Sequence, residues 1–354
     1  MIISQEINGS QCYYVHKLQI ITKSRNGGIV MNQKPKILVV GSFVMDQIAT
    51  TEIVPREGQT VLGKTFHKAP GGKGANQAVQ AARLGAEVTM VGKLGHDANG
   101  EEMIKVCKEA GIDVSHVLYD DEASSGCAMI ILQEKPGEAT QNRILVIPGT
   151  NMRITEEDVA FLKNKISAYD MVILQNEIPM RINLIVAKYA HDAGVPVMLN
   201  SAPSAPIPEE LYGYLTYISP NETEIEDMTG IHIEHEGKEV NLNTVRQAAE
   251  ALRSKGVENV LVTLGSAGAF LVTDAEEVHS PCATGIKAVD PTAAGDSFVG
   301  AFCVGTCLGW SRGKTLVFAN HTAGITVSRM GAMPSLPTLD MVKEDLKKRG
   351  IEHE

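Results

Sequence analysis

KILVVGSFVMD (residues 36–46) sets a continuous apolar run, Ile37 to Val40, against the turn-forming pair Gly41-Ser42. A short apolar run bounded by a turn reads as a strand buried on both faces, the kind found in a parallel sheet covered by helices. That strand is expected to present Asp46 at its C-terminal end. Working outward, NQAVQAARLG (76–85) places Ala78, Val79 and Ala82 on one helical face with Gly85 as a stop, and EVTMVGKLG (87–95) returns to a strand. The order recurs. YDMVILQNE (169–177), PVMLNSAP (196–203), LTYISPNETE (215–224) and NVLVTLGSAG (259–268) read as strands ending in polar or glycine-rich loops. RINLIVAKYAHDAG (181–194) and TVRQAAEALRSKG (244–256) are helices between them. Such alternation predicts an α/β fold, with a central, mostly parallel sheet flanked by helices.

Two stretches depart from it. TTEIVPREGQTVLGKTFHKAPGG (50–72) and SSGCAMIILQEKPGEATQNRILVIPG (124–149) lack a helical period and read as strands and hairpins. They predict a small β-sheet inserted as a lid, with strands from about 47–72 and 122–149. Residues 1–33 read as an N-terminal extension, and Met31, opening the polar MNQKPK, is expected to be the natural start. The 354 residues carry 32 Lys+Arg against 42 Asp+Glu, a net charge of −10, which argues against a nucleic-acid partner. Hydrophobic residues make up 44%, enough for a large core, yet the longest apolar stretch, Cys127 to Leu132, is far too short to span a bilayer. No membrane partner is expected. The six cysteines show no C-x-x-C pairing, and free thiols suit a cytoplasmic protein. Cys303 and Cys307, four apart beside Phe302 and Val304, read as core thiols rather than metal ligands.

AVDPTAAGDSFVGAFCVGTCLGW (288–310) carries the most chemistry. The near-bare run Ala293-Ala294-Gly295 precedes Asp296, and the stripe that follows makes Asp296 the start of a helix. Backbone N–H groups at a positive helix end bind anions. Asp296 is then either a helix cap or a base beside a phosphate cradle. APGGKGANQAV (69–79) is neither a Walker A loop nor a dinucleotide fingerprint. Its glycines permit close backbone approach to a ligand, and Asn76 offers a hydroxyl both donor and acceptor. TLGSAG (263–268) is a glycine-rich turn suited to flanking a nucleotide or to nothing but turning the chain.

GGKGANQA, PNETE and DPTAAGDSF, in that order and spacing, resemble the ribokinase branch of the phosphofructokinase-B (PfkB) carbohydrate kinases, over about residues 36–340. The resemblance implies a ribokinase-like fold with a β lid over residues 34–354. It implies ATP-dependent phosphorylation of the 5-hydroxyl of D-ribose, giving ribose 5-phosphate. Asp296 corresponds to the catalytic base, with the backbone of Ala293, Ala294 and Gly295 holding the transferring phosphoryl group. Val44, Met45, Asp46, Gly72, Lys73, Gly74, Ala75, Asn76 and Glu177 fall at sugar-contacting positions, along with Asp296. Asn221, Thr263, Leu264, Gly265, Ser266, Ala267, Gly268, Gly295 and Asn320 fall at nucleotide-contacting ones. Glu224 matches a residue associated with Mg²⁺ through water. Asp290, Thr292, Thr326, Arg329, Gly331 and Ser335 match the loop for an activating monovalent cation, usually K⁺. The resemblance also implies a homodimer formed through the lid. Two positions depart from the ribokinase pattern: Val44 stands where an asparagine is usual, and Pro291 where a threonine is usual. Val44 raises the alternative of a 2-deoxyribose kinase, or a kinase of another furanose or a nucleoside. A non-catalytic sugar sensor is the reading from outside the enzyme class.

Overall fold

A computed structural model describes residues 34–135, 141–237 and 239–351, and the expected N-terminal extension lies outside them. In chain order the first half comprises β1 (Lys36–Val40), β2 (Val44–Thr51), β3 (Thr65–Gly71), α1 (Lys73–Arg83), β4 (Glu87–Gly95), α2 (Ala98–Glu109), β5 (Asp113–Asp120), β6 (Cys127–Gln133) and β7 (Gln141–Ile147). The second half runs β8 (Met171–Gln175), α3 (Met180–Asp192), β9 (Val197–Asn200), β10 (Tyr217–Ser219), α4 (Glu222–Thr229), β11 (His235–Glu236), β12 (Glu239–Val240) and α5 (Leu242–Arg253). It closes with β13 (Asn259–Thr263), β14 (Ala269–Val272), β15 (Glu277–Ser280), α6 (Ala294–Cys307), α7 (Arg312–Val327) and α8 (Leu339–Lys348). Shorter helical turns lie between some of these.

Nine strands form one sheet in the order β15-β14-β13-β10-β9-β8-β1-β4-β5. All its pairings are parallel except β13-β14 and β14-β15 at one edge. The apolar run that opens the fold lies near the middle, with Ile37 opposite Val88 of β4 on one side and Met171 of β8 on the other. Successive side chains of a strand face opposite ways, so this run feeds two cores. Ile37 and Val39 pack with Val79 of α1, Phe298 and Phe302 of α6 and Phe318 of α7. Leu38 and Val40 pack with Ile182 and Val186 of α3 and Val245 and Leu252 of α5. A sheet covered on both faces results, as the alternation predicted. Cys303 lies within the first core. Burial pushes its thiol up, and that of Cys307 up to about 12, so neither serves as a thiolate near neutrality.

One expectation is corrected. The first strand ends at Val40 before the Gly41-Ser42 turn, but Asp46 is not at its C-terminal end: it belongs to β2 of a second sheet ordered β3-β2-β6-β7. Buried Asn151 fixes the departure: its Oδ1 accepts from Phe43 N at 2.9 Å and its Nδ2 donates to Phe43 O at 2.7 Å. The second sheet is mixed, β2 pairing parallel with β6 and antiparallel with β3. It leaves large apolar residues exposed: Phe66, Met129, Ile144, Leu145 and Val146 are each more than half accessible. No helix among the described residues is long and apolar enough to cross a membrane.

Because the chain leaves β1 towards β4 on one side and β8 on the other, the C-terminal ends of β1 and β8 border a crevice where the winding reverses. In open α/β sheets that is where ligands bind.

Candidate active site

Asp296 is the third residue of α6, and only 6% of its surface is exposed. The residue ahead of the helix, Ala293, takes the left-handed conformation at φ 60°. Any Cβ is strained there, and alanine bears the strain with no bulk beyond the methyl. Two amides from α1 hold the carboxylate: Asn76 Nδ2 donates to Oδ2 at 2.8 Å and Gln77 Nε2 donates to Oδ1 at 2.9 Å. Ala294 N is directed back to Pro291 O at 3.2 Å. Gly295 and Asp296 supply the first-turn N–H groups that have no carbonyl acceptor inside the helix. The cap alternative is not what this geometry displays, since Ala293 holds the cap position and the Asp296 carboxylate accepts from Asn76 and Gln77 instead.

The crevice end of the site follows from close packing at the glycines. Gly72 adopts φ 93°, and a Cβ there would lie 2.6 Å from Val44 N. A Cβ on Gly74 would lie 2.4 Å from Ser42 N. Only glycine lets the head of α1 press onto the turn after β1. Glu177, just past β8, locks the arrangement by accepting from Ser42 Oγ at 2.5 Å and from Lys73 N at 2.9 Å. Four carboxylates gather here. Burial, and then the charges of Glu177, Asp290 and Asp296, raise the Asp46 carboxyl from 3.8 to about 6. Burial pulls the Lys73 ammonium down, but Asp296, Glu177 and Glu224 outweigh it and hold it above its ordinary value. Asn76 Oδ1 is buried with no hydrogen-bond partner among the described residues. Of the other residues expected at the sugar, Val44, Met45 and Ala75 are buried, and Met45 and Ala75 belong to the core.

A cavity of about 230 Å³ is lined by Asp296, Lys73, Gly295, Asn221, Glu224 and Thr263, among others. A second of about 400 Å³ shares Asn221, Thr263, Ala294 and Gly295 with it and extends past Gly265 and Gly268 to Asn320. The shared lining makes one groove, with Asp296 in its smaller part and Asn320 in its larger. Its walls are braced. Asn221 and Glu224 form a reciprocal capping box at the head of α4, and Glu224 also accepts from Ser201 Oγ at 3.0 Å. The turn after β13 closes through Leu264 N to Gly268 O at 2.8 Å, burying Leu264, while Cys282 Sγ donates to Ser266 O at 2.9 Å. Ala267 takes part in the same turn through Ala267 N to Leu264 O at 2.9 Å. Asn320 Nδ2 donates to Ser280 O at 3.0 Å and Pro281 O at 3.1 Å, tying α7 to the loop after β15.

Asp290 stands behind the α6 head. One carboxylate oxygen accepts from Thr292 N and Oγ1, the other from Gly331 N at 2.8 Å. The hydroxyls of Thr326 and Ser335 donate to Ser297 Oγ and Ala332 O, and the Arg329 guanidinium lies against Met341 Sδ, so of the three only Arg329, which has no side-chain oxygen, is limited to its backbone carbonyl. Sequence reasoning missed Ser42, Ser201 and Gln77. Gln77 lay inside the quoted motif GGKGANQA, but nothing local shows that its amide meets a carboxylate 219 residues away.

The model of the pfkB family carbohydrate kinases matches residues 34–339. The ribokinase of Schizosaccharomyces pombe is 38% identical over 310 residues, covering 86% of this chain and 95% of that one. The deoxyribokinase of Salmonella typhi is 32% identical, covering 88% and 98%. Among solved structures, Arabidopsis thaliana ribokinase complexed with ribose and ATP superposes with a TM-score of 0.81 at 34% identity, covering 89% of this chain and 99% of that one. With the fold, the glycine-packed crevice and the Asp296 helix head, these matches are decisive: the chain belongs to the pfkB family of carbohydrate kinases.

Proposed function

We propose that this protein transfers the γ-phosphoryl group of ATP to the 5-hydroxyl of D-ribose, giving ribose 5-phosphate and ADP. The observation that carries the reading is Asp296, a buried carboxylate held at both oxygens beside the head of α6, on a groove made of two adjoining cavities of about 230 and 400 Å³. The sugar occupies the crevice by Asp46, Gly72, Gly74, Asn76 and Glu177, whose carboxylates and amide suit vicinal hydroxyls. ATP lies along Asn221, the 263–268 turn and Asn320. Asp296 takes the proton of the attacking hydroxyl as its oxygen bonds to the γ-phosphorus and the bond to ADP breaks. The positive end of α6, with Gly295 and Asp296 N–H groups, stabilises the charge that develops on the transferring group. Lys73 lines the same cavity and adds a fixed positive charge.

Glu224, held on the cavity wall, fits a water-mediated Mg²⁺ site. Asp290, with the carbonyls where α7 ends, fits a monovalent cation such as K⁺, since a helix C-terminus is its negative end. When bound, these ions neutralise phosphate charge and order the α6 head. The exposed apolar residues of β6 and β7, Met129 and Leu145 on one face and Ile144 and Val146 on the other, support a homodimer formed through the small sheet, because uncovered apolar surface is a liability in water.

A second reading, 2-deoxyribose as substrate, is favoured by Val44, which puts no hydroxyl partner at the turn into β2. A site built to hydrogen-bond a hydroxyl rejects the analogue lacking it by orders of magnitude, and an apolar one does not. Coupled-assay kcat/KM values for the two pentoses decide between them. A strong ribose preference supports the first reading, and a deoxyribose preference replaces it.

A further inference from the structure

We infer that Gln77 and Gln175 form a buried amide relay that orients Asp296, an inference that rests on the proposed role of Asp296 as base. Gln77 Nε2 donates to Asp296 Oδ1 at 2.9 Å, the oxygen that Asn76 leaves untouched. Gln175 Nε2 in turn donates to Gln77 Oε1 at 2.8 Å, and Asn183 Nδ2 braces the end of β8 by donating to the backbone carbonyl of Gln175 at 2.8 Å. Both glutamines are fully buried.

An amide group has a donor end and an acceptor end, and the wrong end facing a carboxylate repels it. With Gln175 donating to Oε1, Gln77 has only its NH₂ to offer Asp296. Gln175 is confined sterically in turn, its Oε1 being buried without a hydrogen-bond partner among the described residues. A Cβ on Gly41 would lie 2.0 Å from Gln175 Oε1, so the residue after β1 is bare where this amide rests. The relay thus links the ends of β1 and β8 to the head of α6. With one amide on each oxygen, the carboxylate cannot swing without losing a charge-assisted hydrogen bond. Its reacting lone pair therefore meets the substrate hydroxyl in a fixed direction, which is what general-base catalysis requires of geometry. Gln77 and Gln175 are positioning residues: they act through Asp296 and do not meet the substrate.

Gln77→Met keeps the size and removes the donor. The expected result is a fall in kcat of about 10- to 100-fold, the range for a lost hydrogen bond to a charged group. KM for sugar and for ATP should stay within about threefold, because binding does not pass through this bond. Gln175→Met should cost about 3- to 10-fold, since Gln77 loses orientation but keeps its donor. The decisive readout is the cycle with Asp296→Asn, whose residual turnover is followed over long incubations. Groups that act as one unit are non-additive, so Gln77→Met adds nothing in that background. An equal fall in both backgrounds, or a raised KM with unchanged kcat, overturns the relay and leaves only a packing role. Circular dichroism and urea unfolding check each variant, and if Gln77→Met does not fold, Gln175→Met carries the same cycle. Full turnover in Asp296→Asn alone is a different result: it removes the base assignment, and the relay with it.

Discussion

Asp46→Asn is expected to make the protein more stable at neutral pH while weakening its hold on the sugar. The native carboxyl is raised from 3.8 to about 6 by burial and by the charges of Glu177, Asp290 and Asp296. Below about pH 4 the group is protonated in both folded and unfolded chains and contributes no pH dependence. Between about pH 4 and 6 the native state holds a proton that the unfolded state has released, so stability falls as pH rises. Above about pH 6 the loss levels off at about 3 kcal/mol, the energy of a shift of roughly two units. Asparagine has nothing to ionise and escapes this. The stability gap between Asp46→Asn and the parent should therefore widen by about 1.4 kcal/mol between pH 5 and pH 8, in favour of the variant. Urea unfolding at the two pH values, extrapolated to water, measures it. The same reasoning makes the parent's KM for the sugar rise as pH falls below about 6, where Asp46 loses the charge that accepts hydroxyls. A gap that is constant or narrows towards pH 8 would refute the reasoning.

Three further outcomes follow from particular contacts. Gly72→Ala, at φ 93° with its Cβ 2.6 Å from Val44 N, should destabilise the fold by about 2–4 kcal/mol in urea unfolding, and an unchanged midpoint would exclude that close approach. Ala293→Gly should preserve or slightly raise stability, because the left-handed φ of 60° costs a residue with a Cβ about 1 kcal/mol. Ala293→Val should lower both stability and kcat, and equal behaviour of the two variants counts against strain at the helix head. Light scattering should give a dimer for the parent and a monomer for Leu145→Arg, since Leu145 is 61% exposed on β7; a monomeric parent removes the dimer proposal.

The sheet-and-helix order was legible because each parallel strand is apolar on both faces and each covering helix repeats its apolar stripe. The glycine-rich motifs were legible too, since Gly72, Gly74 and the AAG run meet constraints written into the backbone next to them. What escaped was set from a distance. The exit of the chain from β1 depends on Asn151, 108 residues on, which no reading of KILVVGSFVMD contains. Gln77 shows its use only once α1 packs beside α6, and Gln175 only once β8 pairs with β1. Met45 and Ala75, expected at the sugar, sit in the core because β2 and α1 turn those side chains inward, while the neighbours Asp46 and Asn76 face the crevice chemistry. For the cation loop the sequence offered less to read, because several positions would act through backbone carbonyls, and Arg329 has no side-chain oxygen to offer an ion.

The most direct test is coupled-assay turnover of D-ribose with ATP, Mg²⁺ and K⁺, run on the parent and on Asp296→Asn at equal folded concentration. The account predicts sustained formation of ribose 5-phosphate by the parent and a loss of about 10²- to 10⁴-fold in kcat for the variant, with both proteins melting alike. No turnover of ribose by the parent, or an Asp296→Asn variant that keeps the parent's rate, would contradict it.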